Sequence, residues 1–579
     1  MTHPAEAAAG DGFDVIILGG GSAGCVLAAR LSEDASRKVL LVEAGQDLAP
    51  GAVPAVIASP YPGRAYFNKD WTWPGLSAAM GVGAGEHDRA APRPYEQARI
   101  LGGGSSINGI GANRGAPADY DEWAAEGAKG WNWDSVLPFF RKLEHDLDYQ
   151  DGNTLHGHLG PIPVKRVPRT LHAGFVRHVE AELEAKGYAA RDDQNGAWED
   201  GVYPIATNLD ESNRRVSAAV GYLTATVRAR PNLTIWTDSH VERILMDGAR
   251  AVGARLSRAG RSLEVRSRLV VVSCGALHSP AVLMRSGIGA PEHLSRLGIG
   301  TVVRRPGVGR NLQEHPSIGV SAYIPGGNRL PGGDHYHIQA ILRWSSGLAG
   351  APRGDMHLAV NARSGWHAVG HRIGTLFGWV NKSVSRGFVA LASADPRVEP
   401  HVDFRLLSDT ADLVRLAASF RLSASILQGV ALRGGCQDAF PSTYSARVKK
   451  WLRPDPVNGI VMGIVGPAMD ASAGLRRLVL KAANDGTPSL EALIADEALL
   501  HAYLKLNVGG VWHPCGTCRM GDPDDPAVVC DSRGAVVGTE GLIVCDASVM
   551  PTIPCANLNI PVLMIAEKIA DQIRHGPHA

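Results

Sequence analysis

His513, Cys515 and Cys518 stand together in HPCGTCRMG (513–521), near the end of a 579-residue chain. Their types and spacing admit three chemistries. A Cys-x-x-Cys pair can run thiol–disulfide exchange if a βαβ setting places Cys515 at a helix start. Two cysteines are also half of a zinc site, given a second ligand pair nearby. A histidine can instead take a proton from a hydroxyl, because imidazole titrates near the working pH. The flanking sequence does not read as βαβ, and Cys530 and Cys545 stand singly at spacings that make no second pair. No H-E-x-x-H or Walker loop occurs elsewhere, and GGSS and HSP do not form a G-x-S-x-G elbow. What the histidine does depends on the elements that place it.

The clearest of these is FDVIILGGGSAGCVLAARLSEDASRKVLLVEAG (13–45). Residues 13–18 form a short run rich in β-branched residues, which predicts a buried parallel strand. Gly19, Gly21 and Gly24 follow in G-x-G-x-x-G register, then a helical stretch over 22–33 and a second strand ending at Glu43 and Ala44, with Glu43 nineteen residues past Gly24. Gly19 allows the tight turn, Gly21 lets backbone approach a pyrophosphate, and Gly24 lets helix and strand pack closely. The helix start, with Ser22 and Ala23, offers N–H groups and a favourable dipole to the diphosphate. Glu43 is placed to accept hydrogen bonds from a ribose. The turn does not decide between NAD and FAD.

Composition narrows the classes further. Fifty-eight Lys and Arg against 57 Asp and Glu leave a net charge of +1, which argues against a nucleic-acid or anionic-membrane surface. A 45% hydrophobic, 20% charged chain of this length predicts two to four globular domains. The start, MTHPAEAAAGDGFD, has no basic or apolar region of a secretory signal. The longest apolar stretch, LVVVSCGALHSPAVLM (269–284), is broken by Ser, Cys, Gly, His and Pro, so no membrane span is expected. Eight cysteines in so long a chain do not make a disulfide framework, and the expected location is the cytoplasm.

Three further stretches stand out. ARILGGGSSINGIGANRGAPADYD (98–121) is a second Gly/Ser-rich loop; GALHSPAVLMRSGIG (275–289) follows an apolar strand; and GLIVCDASVMPTIPCANLNIPVLMIAEKIADQI (541–573) reads as strand, Pro-rich loop and amphipathic helix. Together with the first glycine turn and HPCGTCRMG, these resemble the glucose–methanol–choline (GMC) family of FAD-dependent oxidoreductases, in order and over nearly the whole length. Within that family YEQARILGGGSSINGIGANRGAPADYDEW, GWVNK (378–382) and LNVGGVWHPCGT are most similar to bacterial oxidases of aromatic and furanic primary alcohols, the 5-hydroxymethylfurfural and aryl-alcohol oxidase type.

The resemblance implies a mixed α/β fold: a discontinuous Rossmann-like FAD-binding domain over 1–165, 215–315 and 500–579, and a substrate domain over 166–214 and 316–499 built on an antiparallel sheet flanked by helices. DHYHIQAILRWSSG, with alternating polar and apolar residues, suits that sheet. It also implies FAD contacts. These are Gly19, Gly21, Ser22, Ala23, Glu43 and Ala44 from the first motif, and Leu101, Gly104, Ser105, Asn108 and Gly109 from the second loop. Val241, Trp512, His513, Asp546, Ala547, Asn557 and Asn559 complete the set. Some members attach FAD to a histidine of the second loop; Asn108 stands there, so non-covalent FAD is expected. The catalytic pair carried over is His513 and Asn557. His513 would take the alcohol proton while a hydride leaves for the flavin, and Asn557 would orient the same oxygen. His278 is expected to be structural, and His315 a structural or flavin-side contact rather than a base. Trp379 and Trp512 are either core aromatics or the walls of an aromatic pocket.

The activity so implied is oxidation of a primary alcohol to the aldehyde with O2 reduced to peroxide, extending to the acid through the hydrated aldehyde. The same skeleton serves dehydrogenases that reduce a quinone or dye, and a non-redox hydroxynitrile lyase. No metal, nucleic-acid partner or membrane insertion is expected, and the oligomeric state is left open.

Overall fold

The computed structural model describes residues 12–82, 90–149, 154–442, 445–484 and 486–576. Most of the N-terminal stretch read for a secretory signal, residues 1–11, lies outside them.

Five apolar runs pair as parallel strands, in the order Leu542–Val544, Arg261–Val272, Phe13–Leu18, Val39–Val42 and Leu233–Trp236. Ile16 to Leu18, Val39 to Val42 and Val270 to Val272 are buried on both faces, which is why their sequences are continuous rather than alternating. The first half of Arg261–Val272 leaves this sheet and pairs antiparallel with Arg250–Arg258, which pairs in turn with Ser239–Asp247. The helix after the glycine turn, Ser22–Leu31, packs on the terminal helix Asn559–His575. It stops two residues short of the predicted end, where the polar stretch from Ser32 begins.

A second sheet is antiparallel throughout: Gly201–Pro204, Ile338–Trp344, Met356–Asn361, Ile373–Val380, Ser317–Tyr323 and Gln437–Ser442. The 23-residue helix Thr410–Leu432, capped by the Asp409 carboxylate, covers one face. Its Leu413, Leu416, Ala417, Phe420, Ala424 and Leu427 recur at helical spacing and join Leu358, Val360 and Leu376 in one core. The alternate strand residues Ile341, Ala359 and Trp379 turn to the opposite face and form a smaller cluster. The alternation read in DHYHIQAILRWSSG belongs to the strand Ile338–Trp344; the residues before it are irregular. Ser77–Gly81 pairs in parallel with His401–Leu406, stitching an early segment to the middle of the chain. The architecture is thus the mixed α/β arrangement expected, with the antiparallel sheet roofing a cavity. Among the described residues no helix is long and apolar enough to cross a membrane.

Candidate active site

The first glycine turn is built as its spacing predicts. A Cβ on Gly19, whose φ is +106°, would lie 2.3 Å from the Ser273 carbonyl oxygen, and one on Gly24 would lie 1.9 Å from that of Gly19. These two glycines close the backbone on itself. Gly21 is different: its nearest neighbour would be 4.0 Å away, and it faces a long cavity also lined by Gly19, Ser22, Ala23, Glu43 and Ala44. Glu43 holds the turn, accepting from Gly20 N at 2.9 Å and Gly45 N at 2.7 Å; burial raises its pKa. Ser239 N donates to the Glu43 carbonyl, which brings Val241 to the same cavity wall.

The second loop meets the first. A Cβ on Gly103 would come within 2.7 Å of Gly21 Cα, whereas Gly104 and Gly109 have nothing within 4 Å and line the cavity with Ser105 and Asn108. Leu101 is set back from it: fully buried, it packs behind Gly20 and supports the turn rather than lining the cavity. Its apolar side chain gains more from that core than from a wet wall.

One residue here was not foreseen. Arg215 is buried and holds the loop from behind, donating to the carbonyls of Ile57, Ser105 and Asn108 and to Asn108 Oδ1 at 2.7 Å. Burial pulls its pKa down to about 9, and its hydrogen-bond partners are neutral oxygens. A desolvated guanidinium beneath open backbone favours an anionic ligand on the other side. Glycine faces, a helix start and this charge together fit an extended dinucleotide such as FAD. Its sequence signal was the Arg-Arg pair in ESNRRVSAA, which does not say which arginine turns inward.

HPCGTCRMG is a strap across the cavity's far end. Cys515 pairs with Gln313 by two backbone bonds, Cys518 N donates to the Ser548 carbonyl, and Thr517 Oγ1 donates to that of Ala276. Gly516, at φ +87°, would clash with Asn311 O as any other residue. Both thiols are buried and pushed above their ordinary range by desolvation, so each stays protonated. All eight cysteines are free. The dithiol and zinc readings both fall.

His513 is positioned by Glu314. This buried carboxylate accepts from Val511 N, His513 N, His315 N and Tyr95 Oη, at 3.2, 2.7, 2.8 and 2.7 Å. Between the two strap donors Trp512 adopts φ +60°, a costly conformation for an aromatic residue, held by its pinned neighbours. Burial pushes Glu314 up to about 7 despite its four donors.

A hydrogen-bond chain then fixes the proton on the ring. His315 Nε2 lies 3.2 Å from the Pro554 carbonyl oxygen, so it carries the hydrogen and His315 Nδ1 is a bare acceptor. His513 Nδ1, 2.9 Å from that acceptor, must donate. The network therefore assigns a lone pair to His513 Nε2, which faces Asn557 Nδ2 at 3.3 Å. Desolvation and the neighbouring His315 hold His513 well below the ordinary histidine range; His315 itself is held down at about 3 by burial. Both rings are neutral, and one nitrogen is free to accept a proton.

Asn557 hangs from a loop fastened on several sides. Asn113 Oδ1 accepts from its N–H, Cys555 N donates to Asp119, and Lys382 bridges Asp119, Glu122 and Thr552. Asn559 opens the terminal helix and accepts from Ser22 Oγ at 2.9 Å, joining the two ends of the chain at the cavity. Asp546 accepts from Gly275 N, Ser279 Oγ and Ser548 N, and presents Ala547 to the same space. Trp379 and Trp512 both reach the cavity: Trp379 is buried, its indole N–H on Asn381, and Trp512 is 36% exposed, its indole N–H on Glu96. His278 lines the other end, bonded to Glu399 and packed against Trp73.

Among the described residues, two groups have the spacing of metal ligands. Glu314, His315 and His513 form one, but the carboxylate oxygens and the two facing Nδ1 atoms are committed to the bonds above. The other, Glu144, Asp146 and His156, is already filled by Arg114 and Arg166, and its carboxylates raise His156 to about 10 against the effect of burial. It is an internal ion cluster that knots the segment 144–193.

The chain as a whole is similar to known proteins. The chain is 42% identical over 97% of its length, and 98% of theirs, to a 5-(hydroxymethyl)furfural oxidase of a Methylovorus species. It is 32% identical over 97% of its length, and 95% of theirs, to an oxygen-dependent choline dehydrogenase of Chromohalobacter salexigens. The crystal structure of pyridoxine 4-oxidase from Mesorbium loti superposes with a TM-score of 0.78 at 27% identity, covering 98% of this chain and all of the other. Two GMC oxidoreductase family models match residues 13–317 and 383–566. The chain therefore belongs to the GMC oxidoreductase family and is an FAD-dependent enzyme of alcohol oxidation.

Proposed function

We propose that the substrate is an aromatic or furanic primary alcohol and that O2 is the electron acceptor. The observation that carries this reading is the chain from Asn557 through His513 and His315 to Pro554 O, which leaves a neutral imidazole lone pair beside an amide donor. The bound alcohol hydroxyl takes the place between Asn557 Nδ2 and His513 Nε2. His513 accepts its proton, and Asn557 donates to the oxygen as negative charge gathers there. FAD, when bound, supplies the acceptor for the hydride leaving the carbinol carbon.

Trp379, Phe377, Ile341 and Ala359 offer an apolar wall suited to a flat ring. A hydrated aldehyde carries the same hydroxyl and C–H as an alcohol, so oxidation continues to the acid. Gly19, Gly21, Ser22, Ala23, Glu43 and Ala44, with Gly104, Ser105, Asn108 and Gly109, hold the dinucleotide non-covalently; Val241, Asp546, Ala547 and Asn559 complete the contacts. We assign the FAD-binding role to 1–165, 215–315 and 500–579 and the substrate role to 166–214 and 316–499. Of these, 1–11, 83–89, 150–153, 443–444, 485 and 577–579 lie outside the described residues. Eight free cysteines suit a reducing cytoplasm.

The likeness to the Methylovorus oxidase supports a furanic alcohol, and the likeness to the oxygen-dependent choline dehydrogenase supports O2 as acceptor. A panel of benzyl, furanic and aliphatic alcohols, assayed in parallel for peroxide release and for dye reduction, tests both points. Peroxide formed at the rate of alcohol loss supports the oxidase. Dye reduction without peroxide replaces it with a dehydrogenase, and unbleached flavin under anaerobic alcohol removes redox chemistry altogether.

A further inference from the structure

The whole-chain charge of +1 conceals one strongly basic segment. Residues 446–483 carry seven Lys and Arg against Asp455 and Asp470, a local net charge of +5, so the remainder of the chain is at −4. The segment folds as three consecutive helices, Ala446–Leu452, Pro456–Ala471 and Ala473–Ala483, the last two packed on each other. Lys450, Arg453 and Lys481 are exposed and stand outside the ion pairs that engage Lys449, Arg476 and Arg477.

The middle helix is apolar on both sides. Met462, Gly466 and Met469 turn inward, and a Cβ on Gly466 would lie 2.8 Å from that of Ala368. Val457, Ile460, Val461 and Ile464 recur at i, i+3, i+4 and i+7 and so share the opposite face, where they are 68%, 67%, 46% and 70% exposed. On the next helix Leu475 and Leu478 are exposed as well. Apolar residues at this spacing ordinarily face a core, and here they face solvent. Such a stripe beside a cluster of cations marks a surface that is covered in use.

The charge decides what covers it. A symmetric contact with a second copy would set one +5 segment against another, which is repulsive. An anionic bilayer satisfies both features at once: the stripe sinks into the boundary of the acyl chains while the cations meet lipid phosphates. We propose that these three helices dock the enzyme reversibly on an anionic lipid surface, lying on the bilayer without crossing it. The face adjoins the substrate cavity. Lys449 Nζ lies 2.9 Å from Glu96 Oε1, and Glu96 accepts from the Trp512 indole. Glu96 and Trp512 both line the cavity, so docking sets that rim beside the lipid.

The test mixes the FAD-loaded enzyme with vesicles of phosphatidylcholine alone, or with about one-third phosphatidylglycerol, and reads the bound fraction by flotation. The wild type should bind the anionic vesicles about tenfold or more tightly than the neutral ones, and release them as salt rises. Ile460→Glu combined with Ile464→Glu should weaken binding about tenfold or more. Lys450→Gln, Arg453→Gln and Lys481→Gln together should remove most of the preference for anionic lipid. None of these residues lines the cavity, so FAD content and flavin reduction in free solution should stay at wild-type values and report on folding. Equal binding to both vesicles, no binding, or binding kept by the paired glutamate variant would overturn the proposal. Sedimentation without vesicles covers the rival occupant: self-association that the glutamates abolish, with no lipid binding, gives the face to a second copy and overturns it too.

Discussion

Replacing His315 by Leu tests the proton assignment directly. The leucine removes the acceptor that sits 2.9 Å from His513 Nδ1 and is apolar, so a buried N–H would be left unpaired. That costs about 1–3 kcal/mol in the tautomer that leaves Nε2 bare. The ring then shifts toward the opposite tautomer, and at 1.36 kcal/mol per factor of ten the active fraction falls by roughly 5- to 150-fold. The other end of the chain should not collapse, because the Pro554 carbonyl keeps the Ala556 N–H at 2.7 Å. Anaerobic stopped-flow with excess benzyl alcohol reads the flavin-reduction rate, with FAD content and melting temperature as checks on folding. A variant that carries full FAD and is reduced within twofold of wild type would refute the hydrogen-bond chain as the source of the base.

His513→Ala should keep FAD and lose about 10²–10⁴-fold in flavin reduction, the scale of a general base; near-wild-type reduction excludes His513 as that base. Glu314→Gln leaves an amide NH2 facing two of the four donors, a loss of about 1–3 kcal/mol for each unpaired donor in chemical denaturation. The native state of the wild type holds the Glu314 proton up to about pH 7, while an unfolded glutamate releases it near ~4.3. Stability of the wild type should therefore fall as pH rises through that window, and the fall should be smaller in Glu314→Gln, measured as Tm against pH. Gly24→Ala must push the Gly19 carbonyl aside, and the purified protein should show a lower flavin-to-protein absorbance ratio. Arg215→Met should weaken FAD retention in dialysis more than it lowers Tm, since it removes a charge rather than a packed volume.

The parts legible in the sequence were those whose cause is local. The strand Phe13–Leu18, the glycine register after it and the helix Gly275–Arg285 each follow from a few neighbouring residues. Roles that depend on distant partners were hidden. Glu314 gains its importance from Val511 and His513, nearly two hundred residues away, and Arg215 from a loop more than a hundred residues before it. His315 was read as structural or flavin-side; its Nδ1 instead sets the tautomer of His513, which no spacing announces. Leu101 was taken as a cofactor contact because the motif contains it, yet its side chain serves the core behind Gly20.

The bond between Ser22 and Asn559 joins residues 537 positions apart, and the strand Leu542–Val544 completes the sheet begun by Phe13–Leu18. At roughly 5–20 residues per second of synthesis, the first glycine turn exists for about half a minute to two minutes before its terminal partners are made. The nucleotide motif stays incomplete, with apolar strand edges open, until residues 542–559 have been made. Cofactor loading consequently follows synthesis of residues 542–559, and FAD supply during expression should set how much of the protein escapes aggregation.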